Sequence, residues 1–307
     1  MSCVSDVSSR SDYDEGMLGA ILTAIVTPFD ESGTIDFDVF QRLAAHLVDN
    51  GSDGIVVAGT TGEAPTLTDS ERIDLIRAGV EAVGSRATVV AGTGTNDTAH
   101  SVHMTEAAQR LGADGMLVVT PYYNKPPQRG IVAHFEAVAK ATDRPVVVYN
   151  IPGRVVINIE RETMARLAEI PNVRAVKQAW PDIEDARHIV DLGLELYAGD
   201  DNLLQPFLEL GGRGGICVHT HVVGPRVAAQ VQAAGEGDTA RARAIDAELE
   251  PSYDLLKAAP NPIAIKAALT LLGHKVGGHR LPLVPASESE LADVRDCLTR
   301  LGLLVAA

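Results

Sequence analysis

The sequence predicts an α/β fold: a (β/α)8 TIM barrel followed by a C-terminal helical appendage. Three observations predict it. Eight short, mostly β-branched apolar runs recur between residues 20 and 218. Amphipathic segments long enough for helices lie between them. No Gly-x-Gly-x-x-Gly turn follows the first run, where Thr27-Pro28-Phe29-Asp30 stands instead. Continuous apolar strands alternating with helices imply a parallel sheet covered on both faces. Eight such units suit a closed barrel better than an open, doubly wound sheet, which would carry the glycine-rich turn.

The strand candidates, in order, are residues 20–27, 54–58, 88–91, 116–120, 145–150, 173–177, 194–198 and 215–218. Helical segments include 36–50, 70–83, 98–111 and 130–141. In the second of these, Ile73, Ile76, Val80 and Val83 share one face at helical spacing. The eighth unit ends near Gly235, and further helices are expected at 238–258, 262–272 and 288–301, with Pro282 and Pro285 breaking the path before the last. The expected organisation is a flexible, Ser- and Asp-rich tail at 1–16, a barrel over 17–237 and a helical region over 238–307 packed on the barrel or on a neighbouring subunit.

With 307 residues, 46% of them hydrophobic, the chain can bury a substantial core. Its net charge of −15 argues against a nucleic-acid or anionic-membrane partner. No apolar run reaches the length of a membrane span. Cys3, Cys217 and Cys297 show no paired spacing and read as reduced thiols, so a cytoplasmic location is expected.

In a barrel of this kind the reacting groups sit at the C-terminal ends of strands and in the loops that follow. Lys140, Lys257 and Lys266 fall on expected helices, Lys275 in a glycine-rich loop and Lys125 in the loop after the fourth run. Lys177 ends an apolar strand. Burial there disfavours its charge, and a neutral amine is a nucleophile toward a ketone. The other reading is a lysine that snorkels to the rim or pairs with a carboxylate, and position alone weighs the two equally. Tyr149, one strand earlier at similar depth, tips the balance toward a Schiff base, because imine formation needs proton transfers that a nearby phenol can perform. Taken by itself, a strand tyrosine is more often a core residue with a satisfied hydroxyl.

Arg154, after a Pro-Gly turn, matches a substrate carboxylate in a bidentate way, although an isolated arginine is more often a rim salt bridge. Gly59-Thr60-Thr61-Gly62-Glu63 offers backbone N–H groups and two hydroxyls to an anion, against the plainer reading of an unliganded turn. Gly92-Thr93-Gly94 reads as a turn. Tyr122 and Tyr123 form a pair on a loop closed by two prolines, suiting either a protein interface or packing within the loop. His46, His100, His103, His134 and His188 fall on expected helices. His219 and His221 flank the eighth strand with no matching Asp, Glu or Cys evident, so no metal is expected. Cys217 reads as a small core residue.

Taken together, these residues resemble the dihydrodipicolinate synthase branch of the pyruvate-dependent class I aldolases. The resemblance spans about residues 18–303. It is carried by Thr27-Pro28-Phe29, Gly59-Thr60-Thr61-Gly62-Glu63, Thr120-Pro121-Tyr122-Tyr123-Asn124-Lys125-Pro126, Tyr149-Asn150-Ile151-Pro152-Gly153-Arg154, Val176-Lys177, Gly199-Asp200-Asp201, Asn261-Pro262-Ile263 and Arg280-Leu281-Pro282-Leu283, all in order.

The resemblance implies condensation of pyruvate with L-aspartate 4-semialdehyde to 4-hydroxy-tetrahydrodipicolinate, on the route to diaminopimelate and lysine. It implies that Lys177 forms the imine and that Tyr149 gives and takes protons. Thr61 would pass protons between Tyr149 and Tyr123, the latter lent by a neighbouring subunit. Thr60 and Thr61 would hold the pyruvate carboxylate, Arg154 the carboxylate of the semialdehyde, and the backbone carbonyl of Ile216 would line the site. No cofactor or metal is implied, and a homotetramer built as a dimer of dimers is. The chain departs from the family pattern at Gln178 and Trp180, where the family has an acidic residue and less bulk, and at Cys217 and His219, where smaller residues are common. The aldehyde is therefore the less constrained substrate. Asn96 and Tyr122 match the family's lysine-inhibitor pocket, but His100 replaces an acidic residue there, which argues against inhibition by lysine. A related aldolase or dehydratase for 2-keto-3-deoxy sugar acids is the alternative enzyme, although those branches generally lack the arginine of the Pro-Gly-Arg turn. A catalytically silent barrel is the alternative outside enzymes.

Overall fold

The computed structural model describes residues 18–305. The tail expected at 1–16 lies outside the described residues. Eight parallel strands close in sequence order into one barrel: β1 (Ile21–Ala24), β2 (Gly54–Val57), β3 (Thr88–Gly92), β4 (Gly115–Val119), β5 (Val146–Asn150), β6 (Val173–Gln178), β7 (Glu195–Ala198) and β8 (Gly214–Cys217). The seam is closed by β8 pairing with β1, Ile216 opposite Leu22. The connecting helices are α1 (Phe37–Asp49), α2 (Asp69–Val83), α3 (Thr98–Arg110), α4 (Gln128–Ala139), α5 (Pro152–Val155), α6 (Arg161–Ala168), α7 (Ile183–Asp191), α8 (Leu204–Glu209) and α9 (Thr220–Gly235). The expected fold class is the observed one.

Side chains alternate across each strand, so the barrel wall separates two cores. Leu22, Val56, Val90, Leu117, Val147, Ala175, Tyr197 and Ile216 fill the interior. Ile55, Val89, Val118, Val148 and Val176 face the helices and join the larger outer core with Phe40, Ile76 and Phe135. Alternation sorts branched residues to both sides, which is why the strands read as unbroken apolar runs.

The first strand is shorter than the apolar run at 20–27. Ile25 and Val26 stay buried, but the chain is already leaving the ladder, and Thr27 Oγ1 donates to the Gly62 carbonyl at 2.7 Å. Apolarity reports burial, not strand pairing. Helix α4 starts at Gln128, two residues before the expected start, because Pro127 supplies an extended N-cap. Pro152-Gly153-Arg154 is one helical turn instead of a simple Pro-Gly turn, with proline in a first-turn position where its missing N–H costs nothing. Helix α2 begins with a capping box between Thr68 and Glu71, worth about 1 kcal/mol.

Beyond the barrel, α10 (Thr239–Lys257), α11 (Ile263–Leu271) and α12 (Glu288–Arg300) form a helical layer. Helix α10 packs along α9 and α12, and α11 packs against the same two helices. The appendage therefore packs on the barrel of its own chain. No helix among the described residues is long and apolar enough to cross a membrane.

Candidate active site

The site grows from a register detail. Val173 packs in the outer core, so strict alternation would send Ala175 and Lys177 outward with it. The β5–β6 ladder instead pairs Val146 with Val173 and then Val147 with Ala175, leaving exposed Arg174 as an extra residue. A one-residue bulge flips every side chain after it to the other face. Ala175 accordingly joins the interior core, and Lys177, two residues on, faces inward with it. Tyr149 is its direct neighbour in the ladder.

Lys177 Nζ sits 4.4 Å from the centroid of the Tyr149 ring. The lysine is buried, and among the described residues no carboxylate lies within ion-pair distance of it. It faces a cavity of about 230 Å³ that Thr60, Thr61, Tyr149, Arg154, Asp200 and Asp201 help to line. A second cavity of about 210 Å³ adjoins it, reaching Arg72 and Tyr122. Thr60, Tyr149, Ile151 and Arg154 line both. The acid side of the site is Asp200, whose carboxyl is pushed above the usual range by burial first and by Asp201 second, with Lys177 and Arg154 opposing.

The structure thus brings Lys177, Tyr149, Thr60, Thr61 and Arg154 together. Thr61 is held: its hydroxyl accepts a hydrogen bond from Asn261 Nδ2 at 2.9 Å. Thr60 lies where the two cavities meet. Ile216 is fully buried in the interior core. Tyr123 is set apart, 87% exposed and not part of the lining of either cavity.

Backbone strain concentrates around this mouth. Among the described residues, five without glycine's freedom take a positive φ: Ala58, Glu63, Tyr123, Lys125 and Val156. All five belong to loops that follow β2, β4 or β5, on the barrel face that carries Lys177. Such residues persist only where the surroundings over-determine them, and they cluster at functional sites.

Gln178 is not beside the amine, as the expectation of a charge removed there supposed. It follows Lys177 and so points outward, where its Oε1 accepts from Asn150 Nδ2 at 2.9 Å. Asn150 Nδ2 also donates to Asn158 Oδ1 at 2.7 Å. The substitution belongs to an amide network behind the barrel wall. His100, placed in the suspected inhibitor pocket, has its Nε2 2.8 Å from Asp69 Oδ1.

Two arrangements were not legible beforehand. Lys266, assigned only to a helix, is fully buried and reaches across to Glu63 Oε1 at 3.0 Å and the Thr27 carbonyl at 3.0 Å, with the Gly278 carbonyl as a third acceptor. Both its ammonium and the Arg280 guanidinium lie over the Phe29 ring. Three of the sequence motifs thereby meet in one strut beneath the Thr60–Thr61 loop. The other arrangement gathers Asp201 and Cys217 around His219, with one donor atom of each within 4.8 Å of the others. Cys217 stands two residues before His219, but Asp201 lies eighteen residues away on another loop, so the sequence held no signal for the complete set.

With this geometry in place, comparison with known proteins is specific. Residues 17–301 match the model of the dihydrodipicolinate synthetase family. A 4-hydroxy-tetrahydrodipicolinate synthase of Synechococcus elongatus is 47% identical over 292 residues, covering 94% of this chain and 98% of the relative. The crystal structure of the lysine-bound enzyme of that family from Cyanidioschyzon merolae superposes with a TM-score of 0.92 at 43% identity, over 94% of this chain and 100% of the other. The chloride-inhibited dihydrodipicolinate synthase of Acinetobacter baumannii, complexed with pyruvate, gives 0.91 at 34% identity, over 94% and 100%. With its barrel, its inward lysine and tyrosine, and matches along nearly its whole length, this chain belongs to the dihydrodipicolinate synthetase family.

Proposed function

We propose that this chain condenses pyruvate with L-aspartate 4-semialdehyde to 4-hydroxy-tetrahydrodipicolinate, through a Schiff base on Lys177. The observation that carries the reading is an inward amine beside a phenol, with no ion-pair partner among the described residues, at the wall of a cavity. The Lys177 amine adds to the pyruvate ketone, and loss of water leaves an iminium. That cation acidifies the methyl group, whose proton leaves to give an enamine. The enamine carbon attacks the aldehyde, and the new alkoxide takes up a proton. The amino group of the semialdehyde then adds to the iminium carbon and expels the Lys177 amine, which closes the ring and frees the enzyme.

Tyr149 is the proton donor and acceptor for these steps. Thr60 and Thr61 hold the pyruvate carboxylate. Thr61 relays protons between Tyr149 and a Tyr123 lent by a second subunit, a role that suits the high exposure of Tyr123. Arg154 takes the carboxylate of the semialdehyde, for which its planar fork is suited. The backbone carbonyl of Ile216 borders the pyruvate. A homotetramer and a cytoplasmic location complete the reading, the latter in keeping with Cys217 and Cys297 as free, buried thiols.

Borohydride reduction in the presence of pyruvate, followed by peptide mass spectrometry, tests the imine: Lys177 should carry the reduced adduct. An unmodified Lys177 would sink the reading in favour of a silent barrel. Turnover assays with each aldehyde test the second substrate. Consumption of 2-keto-3-deoxy sugar acids without consumption of aspartate semialdehyde would move the chain to the neighbouring aldolases.

A further inference from the structure

We propose that Asp201, Cys217 and His219 bind one thiophilic divalent cation of the zinc class, in the wall of the Lys177 cavity. All three side chains are buried, and one donor atom from each lies within 4.8 Å of the others. Carboxylate, thiolate and imidazole are the ligand types zinc accepts, with bonds of about 2.0–2.3 Å.

The imidazole of His219 is fixed in one tautomer by its neighbour Ser252. Ser252 Oγ donates its single proton to the Leu249 carbonyl at 2.6 Å. Ser252 Oγ can therefore only accept from His219 Nδ1, 3.1 Å away, which places the imidazole proton on Nδ1. Nε2 is left with a bare lone pair, fully buried and without a hydrogen-bond partner. It faces Asp201 Oδ1 at 3.5 Å, a lone pair aimed at a carboxylate oxygen. A cation bound between these atoms removes the conflict and deprotonates the thiol, whose proton passes to solvent.

His221 shows what a satisfied histidine looks like in the same segment. Its Nδ1 lies 2.8 Å from the Val218 carbonyl and its Nε2 accepts from the Val26 N–H at 3.3 Å, so both nitrogens are used. The Nδ1–H to Ser252 bond is the kind of outer contact that orients a metal-binding imidazole. Asp201 is anchored likewise, its Oδ1 accepting from the Val218 and His219 N–H groups at 2.8 and 2.7 Å. Asp201 also lines the Lys177 cavity, which gives a cation its way in. A bound dication there opposes the cationic iminium, so occupancy lowers turnover.

The test uses the full chain, stripped with chelator and dialysed against cobalt(II) or zinc(II). The expected result is one metal per chain by elemental analysis and, with cobalt, a thiolate-to-metal charge-transfer band. Cys217→Ser should abolish the band, and Ser252→Ala should weaken binding about 10–100-fold. Wild-type chain that takes up no stoichiometric cobalt, or takes it up without the band, overturns the proposal. So does an unchanged spectrum in Cys217→Ser. The wild-type readings decide the matter even if a variant fails to fold, and they need no catalytic turnover.

Discussion

Lys177 and Lys266 are both buried lysines served by the same loop, and they do opposite work. Lys266 has a carboxylate, two carbonyls and an aromatic face around its ammonium. Its partner Glu63 is buried as well. Lys177 has the face of Tyr149 and an open cavity. The loop between them divides its residues accordingly: Thr60 and Thr61 line the cavity, and Glu63 is tied down by Lys266. A buried amine with every donor satisfied is a structural member, whereas one facing a cavity without an acceptor is available to a ketone. Burial alone does not separate the two cases, but the partners do.

The largest effects should fall on that contrast. Lys177→Met should abolish condensation, by roughly 10⁴-fold or more, because the covalent route is gone. Its thermal stability should stay level or rise, since a buried polar group without an acceptor gives way to an apolar side chain. Lys266→Met should do the reverse, lowering stability by about 3–5 kcal/mol in chemical denaturation by leaving Glu63 buried and unpaired. Equal destabilisation by the two replacements would break the comparison. Pairing Lys266→Met with Glu63→Gln should recover part of the loss.

Tyr149→Phe sharpens it next. Losing the phenolic proton should cost about 10²–10⁴-fold in kcat while the cavity keeps its shape. Arg154→Lys comes third. The charge survives but the bidentate fork does not, so kcat/KM for the aldehyde should drop by on the order of tenfold, with borohydride trapping of pyruvate unaffected.

The smallest effect concerns the strut. Arg280 donates to Glu71 Oε1 at 2.6 Å and Oε2 at 2.9 Å. The Arg280 hydrogen bonds, against a smaller opposing effect of burial, hold the Glu71 carboxyl down at about 2. A depressed carboxylate contributes stability above its ordinary value of 4.5, and that contribution is lost as the pH falls from there through about 2. The pair is partly exposed, so the contribution is about 1 kcal/mol after solvent screening. Glu71→Gln should flatten the melting temperature across that acid window and leave it nearly unchanged in shape above it.

Much of this was legible in the sequence. The eight apolar runs gave the barrel, because a strand covered on both faces must be apolar throughout. Tyr149 and Lys177 were recognisable as strand-end residues on neighbouring strands. Gln178 follows the amine in sequence yet takes the opposite face of the wall, which sequence adjacency does not show. Lys266 was passed over because a helix position says nothing about depth. The donor set around His219 was not legible because Asp201 approaches from the loop after β7, although Cys217 is only two residues away at the end of β8.

The sequence by itself determined the barrel and the order of its parts, and it singled out Lys177 and Tyr149 as strand-end candidates, since periodicity and strand-end position are local properties. Tertiary structure alone decided that Lys177 faces inward, through a single extra residue at Arg174. It also decided that Glu63 meets Lys266 and that His219 meets Asp201. Those outcomes depend on register and on contacts between distant segments, which exist only once the ring of strands has closed.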